Sequence, residues 1–192
     1  RAMAEEFDAL EALYSCGALQ RGHFKLSSGI HSDTYVQCSQ LLKDPGLALA
    51  AGRAIAQVVG KPVDVVLSPA LGAVVIGFTT AAALGCESIF AERVDGAMTL
   101  RRGFDLEQGA RVLLVEDVIT TGGSILELAG LVEEAGAEVV TLGCIVQRGD
   151  IDASGREVVS LARVTADKWE PDDCPLCARG AELDAPGSRH AK

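Results

Sequence analysis

The chain predicts an α/β fold, a mostly parallel twisted sheet flanked by helices. Three stretches carry that expectation. Arg111–Ser124 reads RVLLVEDVITTGGS: a β-branched apolar run at Val112–Val115, two carboxylates, a small polar loop, then a helical pattern through Ile125, Leu128, Leu131 and Val132. Short apolar runs of this kind are the buried strands of parallel sheets. Asp64–Leu67 opens a second unit of the same build, followed by Ser68-Pro69-Ala70-Leu71-Gly72 and an alanine-rich helix from Ala73 to Leu84. Glu138–Val146 and Val158–Val164 read as two further strands. Strands that alternate with helices need crossover connections, and those make a sheet parallel.

The remaining segments read as follows. Met3, Phe7, Leu10 and Tyr14 fall at helical spacing, which predicts an N-terminal helix packed on the domain and ended by Gly17. Gly22–Gln40 is rich in serine and β-formers, with Ser-Ser-Gly as a turn between two short extended pieces. Pro45–Val59 reads as a helix with proline in its first turn. In Phe90–Phe104, Asp95-Gly96 signals a hairpin, with Arg93 before it and Arg101 and Arg102 after it. The tail from residue 170 to 192 is rich in proline and glycine and is expected to be irregular.

At 192 residues the chain is long enough for one domain with a full core, and 48% hydrophobic residues supply that core. A net charge of −10, with no basic run against it, excludes a nucleic-acid-binding surface. Val65–Cys86 lacks any charge and approaches membrane-span length, but Ser68-Pro69, Gly72, Gly77 and Thr79-Thr80 divide it into strand, loop and buried helix. The first residues carry Glu5, Glu6 and Asp8 without an apolar core, so no signal peptide is read there. Six cysteines lying mostly far apart fit reduced thiols in a cytoplasmic protein. Cys174 and Cys177 form a lone C-x-x-C, and only His190 stands near as a third ligand, so a structural zinc set reads as incomplete. The three histidines are scattered, and none is assigned as a catalytic base.

The chemistry concentrates after Val115. Glu116 and Asp117 are placed to accept hydrogen bonds from sugar hydroxyls or to hold a hydrated Mg²⁺. Thr120-Thr121-Gly122-Gly123 lets the backbone close around an anion, at the positive end of the following helix. The hydroxyls of Thr120, Thr121 and Ser124 add donors. Arg148, at the end of the Glu138–Val146 strand, stands where ligands bind in open α/β sheets, and its planar guanidinium suits a carboxylate.

VLLVEDVITTGGS resembles the phosphoribosyl-pyrophosphate (PRPP) motif of type I phosphoribosyltransferases, and the surrounding stretches resemble the orotate-specific members of that family. The resemblance covers about Gly22–Val164. It implies the type I phosphoribosyltransferase fold with a small N-terminal hood over residues 22–40 and a mobile flap over residues 90–104, all in one domain. It implies that Glu116, Asp117, Val118, Ile119, Thr120, Thr121, Gly122, Gly123 and Ser124 bind PRPP, with Arg93 as a catalytic cation on the pyrophosphate. Thr120, Arg148, Ser28, Gly29 and Tyr35 are implied for orotate. Mg²⁺ is expected to arrive with PRPP, with Asp117 reaching it through water, and a homodimer is expected. Four departures stand out: Leu71, Gly96 and Met98 occupy positions where relatives place lysine or histidine, and Ser27, two residues after Lys25, stands where some relatives place a lysine. A purine phosphoribosyltransferase, a non-catalytic nucleotide-binding regulator and a signalling receiver domain are the competing readings. The first leaves Arg148 unexplained, the second lacks a basic face, and the third leaves more than half the chain unused.

Overall fold

The computed structural model describes residues 7–186. In chain order it contains α1 (Ala9–Ser15), β1 (Leu19–Lys25), β2 (His31–Val36), α2 (Ser39–Leu42), α3 (Pro45–Val59), β3 (Val65–Pro69) and α4 (Val74–Leu84). There follow β4 (Glu87–Val94), β5 (Ala97–Leu100), β6 (Arg111–Ile119), α5 (Gly123–Glu134), β7 (Glu138–Arg148), β8 (Val158–Val164), β9 (Lys168–Trp169) and α6 (Pro175–Ala178).

The main sheet has the order β5-β4-β3-β6-β7-β8, and only β5 runs antiparallel to its neighbour. From β3 the chain moves outward to β4, and from β6 it moves the other way to β7 and β8. The order therefore reverses between β3 and β6. Such a reversal opens a crevice beyond the strand ends, because the two following helices leave on opposite faces. The packing shows this division: α3 and α4 share a core with Leu113 and Val115, while α5 shares one with Val112 and Leu114. Val112–Val115 are all fully buried, as a strand covered on both faces must be.

Local signals explain the helix ends. Asp44 caps α3 by accepting from the amides of Gly46 (2.8 Å) and Leu47 (3.1 Å), with Pro45 at its first position and Gly60 left-handed at its end. The flap hairpin forms as Asp95-Gly96 predicts, with φ of 49° and 89° at the two turn residues. The uncharged stretch divides into β3, a turn and α4, and among the described residues no helix is long and apolar enough to cross a membrane.

Three expectations need correction. In α1 the buried residues are Ala9 and Leu13, whereas Leu10 and Tyr14 are exposed, so the helix packs by the neighbouring face. Met3 and His190 lie outside the described residues. The central strand runs on to Ile119, because β7 continues to pair with it after β3 has stopped at Leu114, and α5 begins at Gly123 with Gly122 as its cap. The tail is not wholly irregular. It adds β9 to the β1-β2 hairpin, making a three-stranded hood, then forms a 3₁₀ turn at Pro171–Asp173, then α6, then a bridge from Asp184 back to Phe24. These pieces are too short to leave a periodicity in the sequence.

α3 and α4 cross at Gly52, where an added Cβ would lie 2.5 Å from the carbonyl carbon of Thr79 and 2.6 Å from its Oγ1. Gly52→Ala should therefore destabilise the fold by about 1–3 kcal/mol through overpacking. Urea unfolding checks this, and a midpoint equal to that of the wild type would contradict the close crossing.

Candidate active site

Three loops meet at the reversal point. The first follows β6. The hydrogen bond from the Leu126 amide to the Gly122 carbonyl (2.9 Å) opens α5, so the amides just before it lack helical partners and face the loop Thr120–Gly123. Gly122 has φ of 89°, and an added Cβ would lie 2.4 Å from the Asp152 carbonyl oxygen. Only glycine fits there. Thr120, Thr121 and Gly123 are exposed and Ser124 is half-buried, so this loop presents amides and hydroxyls to solvent at a helix N-terminus. That is an anion site by construction.

The second loop, Ala70–Ala73, follows β3 and contains a cis peptide between Ala70 and Leu71. Gly72 lies against the acidic pair: a Cβ there would sit 3.2 Å from Asp117 Oδ2. The two strand-loop-helix units read separately from the sequence thus converge on one carboxylate. α4 has no side-chain cap, which leaves its first amides to the same crevice.

Glu116 and Asp117 are half-buried side by side in the part of β6 that has outrun β3. Burial, reinforced by the charge of Asp117, pushes the Glu116 carboxyl up to about 7. Burial also raises Asp117, against the opposing pull of backbone amides, including that of Val118, which donates to Oδ1 at 2.8 Å. Two carboxylates held this way are short of hydrogen-bond donors or a cation.

Arg148 closes the third side. Its Nη2 donates to Ser32 Oγ (3.2 Å) and to the Thr34 carbonyl (3.3 Å), both on β2 of the hood. Its Nε is buried without a partner, and burial lowers its pKa. A desolvated guanidinium with a free donor calls for an anion. Tyr35 lies on the same strand, its ring 5.7 Å from that of Phe24 and its hydroxyl donating to Gln37 Oε1 at 3.2 Å. Ser28 and Gly29 form the turn of the hairpin and make no contact with Arg148. Ser32 and Thr34, which orient the arginine, escaped the sequence reading. Their only signal was the polar alternation of a strand otherwise half-buried.

The flap arginines are placed differently from one another. Arg93 forms a two-pronged ion pair with Glu127, 3.0 Å at each contact, one helical turn beyond the phosphate loop. Arg102 is committed to Glu92 and stacks over Phe90. Arg101 is exposed and makes no ion pair among the described residues.

A glycine loop at a helix N-terminus, a half-buried acidic pair and a second glycine loop at the reversal of a parallel sheet fit the phosphoribosyltransferase class. The family model described as phosphoribosyl transferase domain matches residues 37–176. The chain is 45% identical over 183 residues to an orotate phosphoribosyltransferase of Chlorobium phaeobacteroides, covering 94% of each chain. It is 48% identical over 177 residues to that of Caldicellulosiruptor saccharolyticus, covering 91% of this chain and 93% of the relative. The crystal structure of orotate phosphoribosyltransferase from Aeropyrum pernix superposes with a TM-score of 0.68 at 26% identity, over 82% of this chain and 94% of that one. The chain belongs to the orotate phosphoribosyltransferase family.

The raised Glu116 gives a pH prediction for the ligand-free protein. Between the ordinary carboxylate range and about 7 the folded state holds a proton that the unfolded state has lost, so stability falls as pH rises through this window. Glu116→Gln should raise the melting temperature at pH 8, by an amount equivalent to roughly 1–3 kcal/mol, and leave it nearly unchanged at pH 4. An equal shift at both pH values would contradict the assignment.

Proposed function

We infer that the chain carries out the reaction for which its family is named. The 5-phosphoribosyl group of PRPP passes to N1 of orotate, giving orotidine 5′-monophosphate and pyrophosphate, a step in pyrimidine nucleotide synthesis. The observation that carries the choice of base is Arg148, a half-buried cation beside the hood whose Nε is enclosed and unspent. Orotate bears a carboxylate that such a guanidinium can take, and purine bases bear none.

The roles follow from position. The loop Thr120–Ser124, with Val118 and Ile119 leading into it, holds the 5′-phosphate on backbone amides and hydroxyls. Glu116 and Asp117 accept the ribose hydroxyls, which restores donors to the buried pair. The amides of Gly72 and Ala73 face the pyrophosphate. Orotate N1 attacks the anomeric carbon as an anion while the bond to pyrophosphate breaks, so no strong protein base is required. The transition state resembles a ribosyl oxocarbenium ion, and catalysis is chiefly positioning plus charge stabilisation. Arg93, held by Glu127 one turn from the Thr120–Gly123 loop, is the flap cation assigned to the pyrophosphate, with exposed Arg101 following it in the flap. Tyr35 and the Ser28-Gly29 turn enclose the base from the hood.

Mg²⁺ fits the donor set. Glu116 and Asp117 are hard oxygen donors whose mutual repulsion a dication would relieve. They would hold the hydrated ion, and bound there it neutralises charge on the departing pyrophosphate. A homodimer is supported by Leu71, Val75 and Phe78, exposed apolar residues spaced along one side of α4 and the loop before it. Six free cysteines suit a reducing, cytoplasmic setting.

Comparison of orotate with uracil as acceptor tests this reading, since uracil lacks the carboxylate. The wild-type protein should strongly prefer orotate, and Arg148→Ala should weaken orotate use about 10–100-fold while leaving the PRPP KM within a fewfold of wild type. Unchanged preference in the variant would remove the basis for the assignment. Asp117→Asn should lower kcat on the order of 10²-fold with little change in melting temperature. Parallel losses of rate and stability would make Asp117 structural.

A further inference from the structure

Outside the crevice at the reversal point, the hood and the tail bring together four side chains that the proposed reaction does not use. His23 lies on β1, His31 opens β2, and Cys174 and Cys177 flank the first turn of α6. His23, His31 and Cys174 are buried, and Cys177 is exposed. One ligating atom from each residue falls within 4.8 Å of all the others. The nearest approaches are 3.1 Å between His23 Nε2 and His31 Nδ1, 3.4 Å from Cys174 Sγ to His23 Nε2, 3.6 Å from Cys177 Sγ to His23 Nε2, and 3.3 Å from Cys177 Sγ to His31 Nδ1.

These separations are those of a coordination shell. With Zn–N near 2.05 Å and Zn–S near 2.3 Å, a regular tetrahedron has edges of about 3.3 Å for N···N and about 3.6 Å for S···N. Single hydrogen bonds account for individual edges, but four such groups, each with a ligating atom within 4.8 Å of all the others, form a set that a single cation can occupy. The second shell agrees. The other ring nitrogen of His23, Nδ1, lies 3.1 Å from the Ala181 carbonyl. As a donor to that oxygen, Nδ1 keeps the proton, and the Nε2 lone pair points into the cluster, the arrangement that orients metal-bound histidines. The backbone contributes too: a β-bulge between Arg21 and Phe24 interrupts the alternation of β1, and His23 and Phe24 are buried in succession.

We propose that His23, His31, Cys174 and Cys177 form a structural Zn²⁺ site that fastens the C-terminal segment to the hood. The full set of four protein ligands leaves no open position, so the ion serves the fold and takes no part in chemistry. The site closes a loop of more than 140 residues between the hairpin and α6, and it stands next to Ser32, which orients Arg148. The hood hairpin would otherwise rest on the two-residue strand β9, the Asp184 bridge and a few side-chain contacts. Soft thiolates with imidazoles in a tetrahedron select zinc over the hard dication suited to the acidic pair.

The test is the metal content of the full chain, purified without chelator and freed of any histidine tag. One zinc per chain is expected by mass spectrometry of the metal, with Cys177→Ser, the exposed ligand and so the gentlest change, losing that equivalent. A strong chelator should lower the wild-type melting temperature and make residues 170–186 sensitive to limited proteolysis, with added Zn²⁺ reversing both. Co²⁺ in place of zinc should show thiolate charge-transfer absorption and the intense visible bands of a tetrahedral ion, absent in Cys177→Ser. Wild-type protein without zinc, whose melting is indifferent to Zn²⁺ and chelator, would overturn the proposal. So would a Cys174–Cys177 disulfide, seen as a mass two hydrogens lower and thiols that react only after reduction.

Discussion

Two carboxylates buried next to one another are unfavourable, and the architecture forces Glu116 and Asp117 into that position. They lie in the stretch of β6 that runs past its shorter neighbour β3, flanked by Gly72 and facing the crevice where the sheet order reverses. The rest of the site answers that constraint. Burial, reinforced by the charge of Asp117, pushes Glu116 up to about 7. In the proposed function a ribose would supply hydroxyls and a hydrated dication would supply charge, which makes the strand end preorganised for a charged sugar rather than for stability. The phosphate loop lies only three residues further along the chain, so sugar and phosphate recognition are built from one continuous segment.

The site we propose for the base lies in a different part of the chain. Arg148 ends β7, next but one to β3 in the sheet, and it reaches the hood by bonding to Ser32 and Thr34. The hood is not an N-terminal appendage alone, because β9 and the Asp184 bridge complete it from the other end of the chain. If Arg148 takes the base as proposed, substrate selectivity depends on how firmly two distant segments are tied together. Asp33 and Asp167 exchange hydrogen bonds across that junction, Ser32 Oγ donates to the Asp167 carbonyl, and the histidine–cysteine cluster stands at its outer end.

Much of this was legible in the sequence, and the limits have physical causes. Pro45–Val59, the Asp95-Gly96 turn and the strand at Val158–Val164 were readable because caps, turn chemistry and β-branched runs are local. The phosphate loop was readable because its parts are contiguous. The end of β6 was misplaced because strand length is set by the neighbour: β7 carries the pairing on to Ile119. The face of α1 was misassigned because Leu10 and Tyr14 share a spacing with Phe7, yet the helix buries Ala9 and Leu13 against the sheet side. The histidine–cysteine cluster could not be found by spacing, since the hairpin and α6 are more than 140 residues apart and the histidine nearest the C-x-x-C in sequence is His190. Two histidines eight residues apart in a predicted hairpin, beside a C-x-x-C elsewhere, were the signal available.

The central claim is that this crevice joins a phosphoribosyl group to orotate. The most direct measurement follows the ultraviolet absorbance of orotate with purified protein, with PRPP and Mg²⁺ both present or each omitted, while released pyrophosphate is counted. The account predicts loss of orotate only in the complete mixture, with one pyrophosphate formed for each orotate consumed. An inert complete mixture, from protein that does turn over adenine, hypoxanthine or xanthine, would contradict it.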